Sequence, residues 1–349
     1  MVKLFLFLFS LIRPRFALIA LAPFFWVLSA QPLAANAEQL DEMRALAHSR
    51  LPVLALLNQG AALLYSPARR ALEEPGPEGL RAFGGFMGGR QEFSSAGQTK
   101  VDGFSFMAGL GRRFTIEDSP LAAFNYGFFG EGGTGRFEAL PSYEAGEARL
   151  EGRGRYVGGG FLLKAEFQNR FYMDGAFRVG QASSSLDTFN LDSNPKDRPD
   201  DSSTYFGAAG TVGWLAGLCD LMDLDIYSRL LWSSLGTGEK RTFGWGRAEA
   251  ANLNSTRFIL GTRADFWVGE GRLIYAGAAW EHEFNGRAEL KINDRQFKDG
   301  TVTLKGDSLV GELGLELGSA EGISARFGLE GALGQREALG GLLRLSYVF

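Results

Sequence analysis

From about residue 78 onward, apolar and polar positions alternate with a period of two. That is the period of an extended strand, whose successive side chains point to opposite sides. In "MDLDIYSRLLWSS", Met222, Leu224, Ile226, Leu230 and Trp232 share one face, and Asp223, Asp225, Tyr227 and Arg229 share the other. In "STRFILGTRADFWV", Phe258, Leu260, Ala264, Phe266 and Val268 stand against Arg257, Arg263, Asp265 and Trp267. "ISARFGLEG" sets Ile323, Ala325, Phe327 and Leu329 against Ser324, Arg326 and Glu330, and "GGFLLKAEF" sets Phe161, Leu163, Ala165 and Phe167 against Lys164 and Glu166. About twelve such runs follow one another, near 81–91, 99–113, 120–130, 155–167, 170–181, 203–217, 221–233, 255–268, 272–285, 301–317, 322–333 and 340–349.

Before the strands the period changes. Leu40, Met43, Ala47, Leu51, Leu54, Leu57, Ala61 and Leu64 recur at three- and four-residue steps, which predicts helix. Ser49 is expected to cap a second helical segment, with Pro52 in its first turn, where proline is tolerated. A helix over residues 50–65 would be roughly 24 Å long at about 1.5 Å per residue. That is near the height of a membrane barrel's apolar band. It reads as a pore-threading helix, against a periplasmic amphipathic helix or a disordered remnant.

A soluble sandwich also alternates, so the connections carry the choice of fold. "EDSPL", "QN", "LCD", "GEG" and "SAEG" are short. "EGGTGRFEALPSYEAGEARLEGRG", "ASSSLDTFNLDSNPKDRPDDSS" and "LGTGEKRTFGWGRAEAANLN" are long and polar. Short periplasmic turns alternating with long external loops, on an even strand count, are the signature of an outer-membrane barrel. Closure satisfies every backbone group and leaves no edge, the only way a sheet crosses lipid. The expected fold is therefore all-β: a twelve-stranded antiparallel transmembrane β-barrel, with the N-terminal helix in its pore. "LLRLSYVF" is its closing strand, with Leu343, Leu345 and Tyr347 facing lipid and Phe349 at the interface, and it also reads as an assembly signal. The charges on the opposite faces are expected to line the lumen: Asp225, Arg229, Arg263, Asp265, Glu281, Glu283, Glu312, Arg326 and Glu330, with Asp174 and Arg178.

The first 37 residues set the compartment. Lys3, Arg13 and Arg15 precede an apolar run from Phe16 to Leu28, and Ala35-Asn36-Ala37 gives the small-x-small pattern of a signal-peptidase site. The apolar core is short for a spanning helix, so cleavage is expected at Ala35–Ala37. The lone Cys219 can form no intramolecular disulfide. Composition agrees with a closed sheet: 48 glycines, 29 phenylalanines and 13% aromatic residues in 349. A formal charge of −4 gives no basic surface for nucleic acid.

Apparent enzyme motifs are weak. Ser308 in "GDSL" resembles an esterase nucleophile, but that chemistry needs a histidine base in an α/β domain. The chain has two histidines, His48 and His282, and both precede Ser308. His282 shares a face with Ile274, Trp280 and Phe284 and reads as an interfacial residue. "GEGGTGR" (130–136) lacks the strand-to-helix context of a phosphate loop and reads as a flexible external loop. Asp192, Asp197, Asp200 and Asp201 read as a solvated loop rather than a calcium site. No catalytic residue, metal or cofactor is expected.

"SRLPVLALLNQGAALL", "VDGFSFMAGLGR", "FFGEGGTG", "LDIYSRLLW", "YAGAAWEHEFNGRAEL", "LKGDSLVGELGLELG" and "LEGALGQREALGGLLRLSYVF" follow in order from residue 49 to the terminus. In that order and spacing the chain resembles the autotransporter β-domain family of type V secretion. The resemblance implies a twelve-stranded outer-membrane barrel, a helix through its pore and export of an N-terminal passenger. The expected partition is a signal peptide at 1–37, a helical linker at 38–78 and the barrel at 79–349. The expected partners are outer-membrane lipid, the barrel-assembly machinery and the Sec pathway, for a monomeric barrel. The departure lies in the forty or so residues between Ala37 and the barrel, too few for a conventional passenger. A passenger encoded elsewhere or lost, and a stand-alone channel or surface-loop binding protein, are the two readings.

Overall fold

The computed structural model describes residues 37–64, 79–95, 97–143, 146–147, 149–189, 200–238, 240–243, 246–293, 295–297, 303–318 and 322–349. Twelve long strands form one antiparallel sheet. They are β1 (Leu80–Ser95), β2 (Gly97–Thr115), β3 (Leu121–Tyr143), β4 (Leu150–Phe167), β5 (Phe171–Phe189) and β6 (Asp200–Cys219), then β7 (Met222–Leu235), β8 (Leu253–Gly269), β9 (Arg272–Glu283), β10 (Gly306–Gly318), β11 (Ile323–Gly334) and β12 (Arg336–Val348). Each strand pairs with its neighbours in sequence. The sheet closes where β1 meets β12, in register from Arg81 opposite Val348 to Phe93 opposite Arg336. Phe349 N–H donates to Leu80 C=O at 3.1 Å, so the two ends of the barrel meet at one rim. All five turns at that rim (116–120, 168–170, 220–221, 270–271 and 319–322) are short, whereas the other rim carries the long connections 190–199, 236–252 and 284–305, so the first is the periplasmic one.

Alternation along the strands separates the two faces. Phe128, Leu230, Leu313, Leu329 and Leu345 are exposed on the outside, while Glu131, Asp225, Arg263, Arg326 and Arg344 are buried on the inside. One residue departs from its expected face. Trp267 stands exposed at the periplasmic rim, next to a register shift, and its Nε1–H donates to Asp223 at 3.2 Å. The β8–β9 turn is tight enough to require glycine: Gly271 has φ of 64°, and a Cβ there would lie 1.9 Å from the Gly318 carbonyl oxygen.

The external half of the wall is taller than the periodicity suggested. The glycine-rich stretch 130–136, expected as a loop, is the middle of β3, paired on both sides. Glycine had masked the period, because a strand without side chains shows no alternation. Ala182–Phe189 likewise continues β5, Asp200–Ser203 opens β6, and β10 begins at Gly306 rather than near 301. Asp192 and Asp197 lie outside the described residues. Three external connections also carry strands of their own, one of them only Gly146–Glu147, which pairs back onto β3. Arg241–Phe243, Gly246–Ala250, Leu290–Ile292 and Arg295–Phe297 pair into a small antiparallel sheet.

Inside the barrel lies α1 (Ala37–Leu63), one continuous helix. Ser49 does not cap a second segment. Its hydroxyl donates to Leu46 C=O at 2.8 Å and meets Ser184 Oγ at 2.9 Å. Pro52 sits in the helix interior, where the missing N–H is costly in an isolated helix; here the enclosing wall holds the helix through it. Met43, Leu46, Leu51, Val53, Leu54, Leu56 and Leu57 are all fully buried, so the helix is covered on every side rather than along one stripe. The wall is thin where it is pressed: a Cβ on Gly103 would lie 2.9 Å from Leu56 Cδ1, and one on Gly154 would lie 3.1 Å from Val53 Cγ2. Around the upper helix the lumen is apolar, through Phe93, Val101, Phe137, Leu186, Leu235 and Leu290, which corrects the expectation of a uniformly polar interior. Tyr65 and the linker to β1 lie outside the described residues, as does Ala35 of the cleavage pattern; Ala37 opens α1.

Candidate functional site

The site is the lumen where the wall grips α1. At the external end the grip centres on Arg50, which is 2% exposed. Its Nε stands 3.0 Å from Asp201 Oδ2. Its Nη1 donates to Ala251 C=O at 2.7 Å, and its Nη2 to Gly236 C=O. One guanidinium thus ties the helix to the start of β6 and to both ends of the β7–β8 connection. Asp201, expected in a solvated loop, is 3% exposed and faces the helix. A run of Ser and Asp reads as loop by composition, and a fixed cation 151 residues earlier in the chain (201 − 50) is invisible to it.

Lower down, two arginines from strands three apart in the wall donate to successive helix carbonyls. Arg178 on β5 donates from both Nη atoms to Leu57 C=O at 3.2 Å, and from Nε to Glu131 Oε1 at 2.8 Å. Tyr205 O–H donates to the same Glu131 oxygen at 2.7 Å, and its ring meets Tyr156 edge-on at 5.9 Å. Arg257 on β8 donates to Asn58 C=O at 3.0 Å and to Glu281 at 3.3 Å. Asn58 Nδ2–H donates to Ser255 Oγ at 3.0 Å, and that hydroxyl donates in turn to Glu283. Gly60 fits beneath the Tyr156 hydroxyl, where a Cβ would come within 1.9 Å of the oxygen.

The expected lumen residues form two groups that meet at Arg263, with Glu283 apart from both. Glu281, Glu330, Glu312, Asp225, Arg229 and Arg263 border a cavity of about 110 Å³ beside Asn58, Gln59 and Ala62. Arg336 closes its upper side, 3.0 Å from Glu281 and 3.6 Å from Glu330. Glu283 holds Ser255 and the Thr256 N–H, as above and at 2.9 Å. Arg263, Asp265 and Arg326 lie nearer the periplasmic rim. Arg263 pairs with Asp265 at 2.9 Å, Arg326 pairs with Glu316, and both guanidiniums cover the Tyr275 ring at 4.1 and 4.7 Å. Glu131 and Arg50 carry no flag in the sequence, and Asp201 reads there as part of a loop. The signal available was a lone acid in a glycine-rich run and a lone base in an apolar helix.

The esterase pairing does not exist. Ser308 is buried on the inner face, where its hydroxyl accepts from Arg336 N–H at 2.9 Å. His282 is on the outer face, against Phe284 at 4.5 Å and Asp307 at 2.8 Å. No cluster of three or more metal-type side chains occurs among the described residues.

The autotransporter β-domain profile matches residues 80–330. This chain belongs to the autotransporter β-domain family. No curated protein matches significantly. Among solved structures, the translocator domain of the autotransporter NalP from Neisseria meningitidis is similar at a TM-score of 0.59 and 14% identity, over 87% of this chain and 96% of that one. The β-domain of the Bordetella autotransporter BrkA gives 0.57 and 14%, over 78% and 100%. The transport unit of AIDA-I from Escherichia coli gives 0.55 and 17%, over 78% and 90%. At such identities the likeness is one of fold. In this autotransporter β-domain the outward set Leu343, Leu345, Tyr347 and Phe349 ends the closing strand. Leu345, Tyr347 and Phe349 are exposed, and the Tyr347 and Phe349 rings meet edge-on at 4.7 Å. The family is one of outer-membrane barrels, and the apolar outer face accords with that medium.

Proposed function

We propose that this β-domain is of the translocator type: its pore passes the polypeptide that follows the signal peptide toward the cell surface, and α1 closes the pore. The observation that carries this reading is the direction of the helix. Arg50 lies among the external connections, and Leu63 lies deeper, packed with Phe83, Met87, Phe129 and Leu162. A chain emerging from the N-terminal end of α1 is therefore released on the external side. Cleavage of a signal peptide at Ala35–Ala37, export by the Sec pathway and insertion by the barrel-assembly machinery belong to the same reading. The partner medium is outer-membrane lipid, for a barrel working as a monomer.

The test is an epitope inserted between Ala37 and Glu38. On intact cells it should be reached by antibody and shaved by added protease. An epitope reached only after the outer membrane is permeabilised would overturn the translocator reading. The cavity beside Ala62 favours a second reading, a stand-alone channel for small solutes. In that case, filling the cavity with Ala62→Trp would abolish solute uptake and leave epitope display unchanged.

A further inference from the structure

The small external sheet is drawn from two connections that are not neighbours along the wall. Gly246–Ala250, from the β7–β8 connection, pairs with Leu290–Ile292, from the β9–β10 connection. Ala248 stands opposite Ile292, Glu249 opposite Lys291 and Ala250 opposite Leu290. Arg241–Phe243 and Arg295–Phe297 form its two edges. The four strands, in chain order, are 3, 5, 3 and 3 residues long. A sheet this small needs an apolar face packed on a further element before it is stable. Its buried apolar side chains are Ala248, Ala250 and Leu290, each at most 2% exposed. The layer that covers them includes α1, since they share one apolar cluster with Met43, Leu46 and Leu51. Arg247 and Arg295 are exposed to solvent. The sheet is therefore a collar that leans on the external end of the helix, and the helix completes its core.

Arg50 fastens this collar. Its Nη1 donates to Ala251 C=O at 2.7 Å and its Nη2 to Gly236 C=O, so one planar fork spans both ends of the β7–β8 connection. Its Nε lies 3.0 Å from Asp201 Oδ2. The connection folds in around this point. Gly238 N–H donates to Ala250 C=O at 3.0 Å, and a Cβ on Gly238 would lie 2.6 Å from Asp201 Oδ1. Ala251 N–H donates to Glu289 C=O at 2.9 Å, which carries the tie on to the β9–β10 connection. When α1 leaves the lumen, two carbonyls lose this donor and the buried Asp201 loses the guanidinium beside it. Buried polar groups stripped of a partner are costly. Water can take the place of the guanidinium only if the collar lifts.

We propose that the collar is a gate that α1 itself shuts, with Arg50 as the clasp. It closes when the helix docks and stands open while the lumen holds no helix. Docking of the helix and closing of the exit are then one step, because the collar's apolar face is uncovered without the helix. The coupling belongs to the helix and the two connections alone. It goes beyond the translocator reading and holds equally in a barrel that exports nothing.

Limited trypsin digestion of the full chain, purified as a folded barrel in detergent, reads the collar directly. Arg247 and Lys291 lie in its two central strands, and Arg149, exposed just before β4, is the control site. Cleavage within a folded segment follows the population of its opened form when reclosing is fast. In wild type, the cuts after Arg247 and Lys291 should be much slower than the cut after Arg149. Arg50→Gln should speed both collar cuts about ten-fold, the scale of losing hydrogen bonds to a charged group, and leave the Arg149 cut unchanged. Asp201→Asn, which keeps the arginine and removes the charge it meets, should move the same cuts in the same direction. Heat-modifiable gel mobility selects the variants that are folded barrels before digestion. Wild-type rates at the collar in either folded variant would overturn the proposal. So would an equal rise at Arg149, the mark of general loosening, or a wild-type collar cut as fast as Arg149. Export is not measured, so this outcome is separate from that of the epitope test.

Discussion

At the scale of single residues, the lumen is held by charges that have no water to fall back on. Arg178 and Glu131 are each 2% exposed, and their attraction offsets the cost of taking both out of water only while both are present. Glu131→Ala should therefore destabilise the protein by about 3–5 kcal/mol, because Arg178 is left as an uncompensated buried cation. Thermal unfolding in detergent measures this. The double change Glu131→Ala/Arg178→Met should recover much of the loss, since removing both charges leaves none stranded. A single variant as stable as wild type would mean that water reaches Arg178. Surface pairs such as Arg90–Asp102 deserve no such weight, being solvated on both sides.

At the scale of elements, the closing strand and the helix do different work. β12 must pair with β1 to remove both edges, and its outward Leu345, Tyr347 and Phe349 are the last apolar side chains placed on the lipid face. Replacing Tyr347 and Phe349 by Ser should lower the amount of heat-modifiable folded barrel in the outer-membrane fraction and raise periplasmic degradation. Unchanged amounts would sink the role of this end as an assembly signal. The helix, by contrast, contributes nothing to closure. It is held by a glycine-thinned wall at Gly103 and Gly154 and by side-chain donors to its carbonyls at Leu57 and Asn58.

At the scale of the whole molecule, the helix occupies a lumen that a twelve-stranded barrel would otherwise fill with water. Deleting residues 38–64 should raise the conductance of the protein in planar bilayers several-fold, because the cavity beside Ala62 would merge with the space the helix had filled. Raising salt should shift the ion selectivity of the opened pore, since screening weakens the field of Asp225, Arg229 and Glu312. Conductance that does not change on deletion would show that the helix does not block the path.

Alternation, together with the short and long connections, determined the number of crossings, the face each strand turns to lipid and the inward placement of Asp225, Arg263 and Glu281, because a closed sheet leaves a side chain only two directions. The helical period before Leu80 likewise named α1. What the periodicity could not reach was the external half of the wall. Gly130–Arg136 has no side-chain alternation to read, and Asp200–Ser203 has the composition of a loop. Only closure brings β3, β5 and β6 around one axis, and only then do Arg178, held by Glu131, and Asp201 meet Leu57 and Arg50 of a helix 121 (178 − 57) and 151 (201 − 50) residues before them in the chain. Those contacts depend on the register between strands and on which way round the helix enters, and neither is written in the pattern of any one strand.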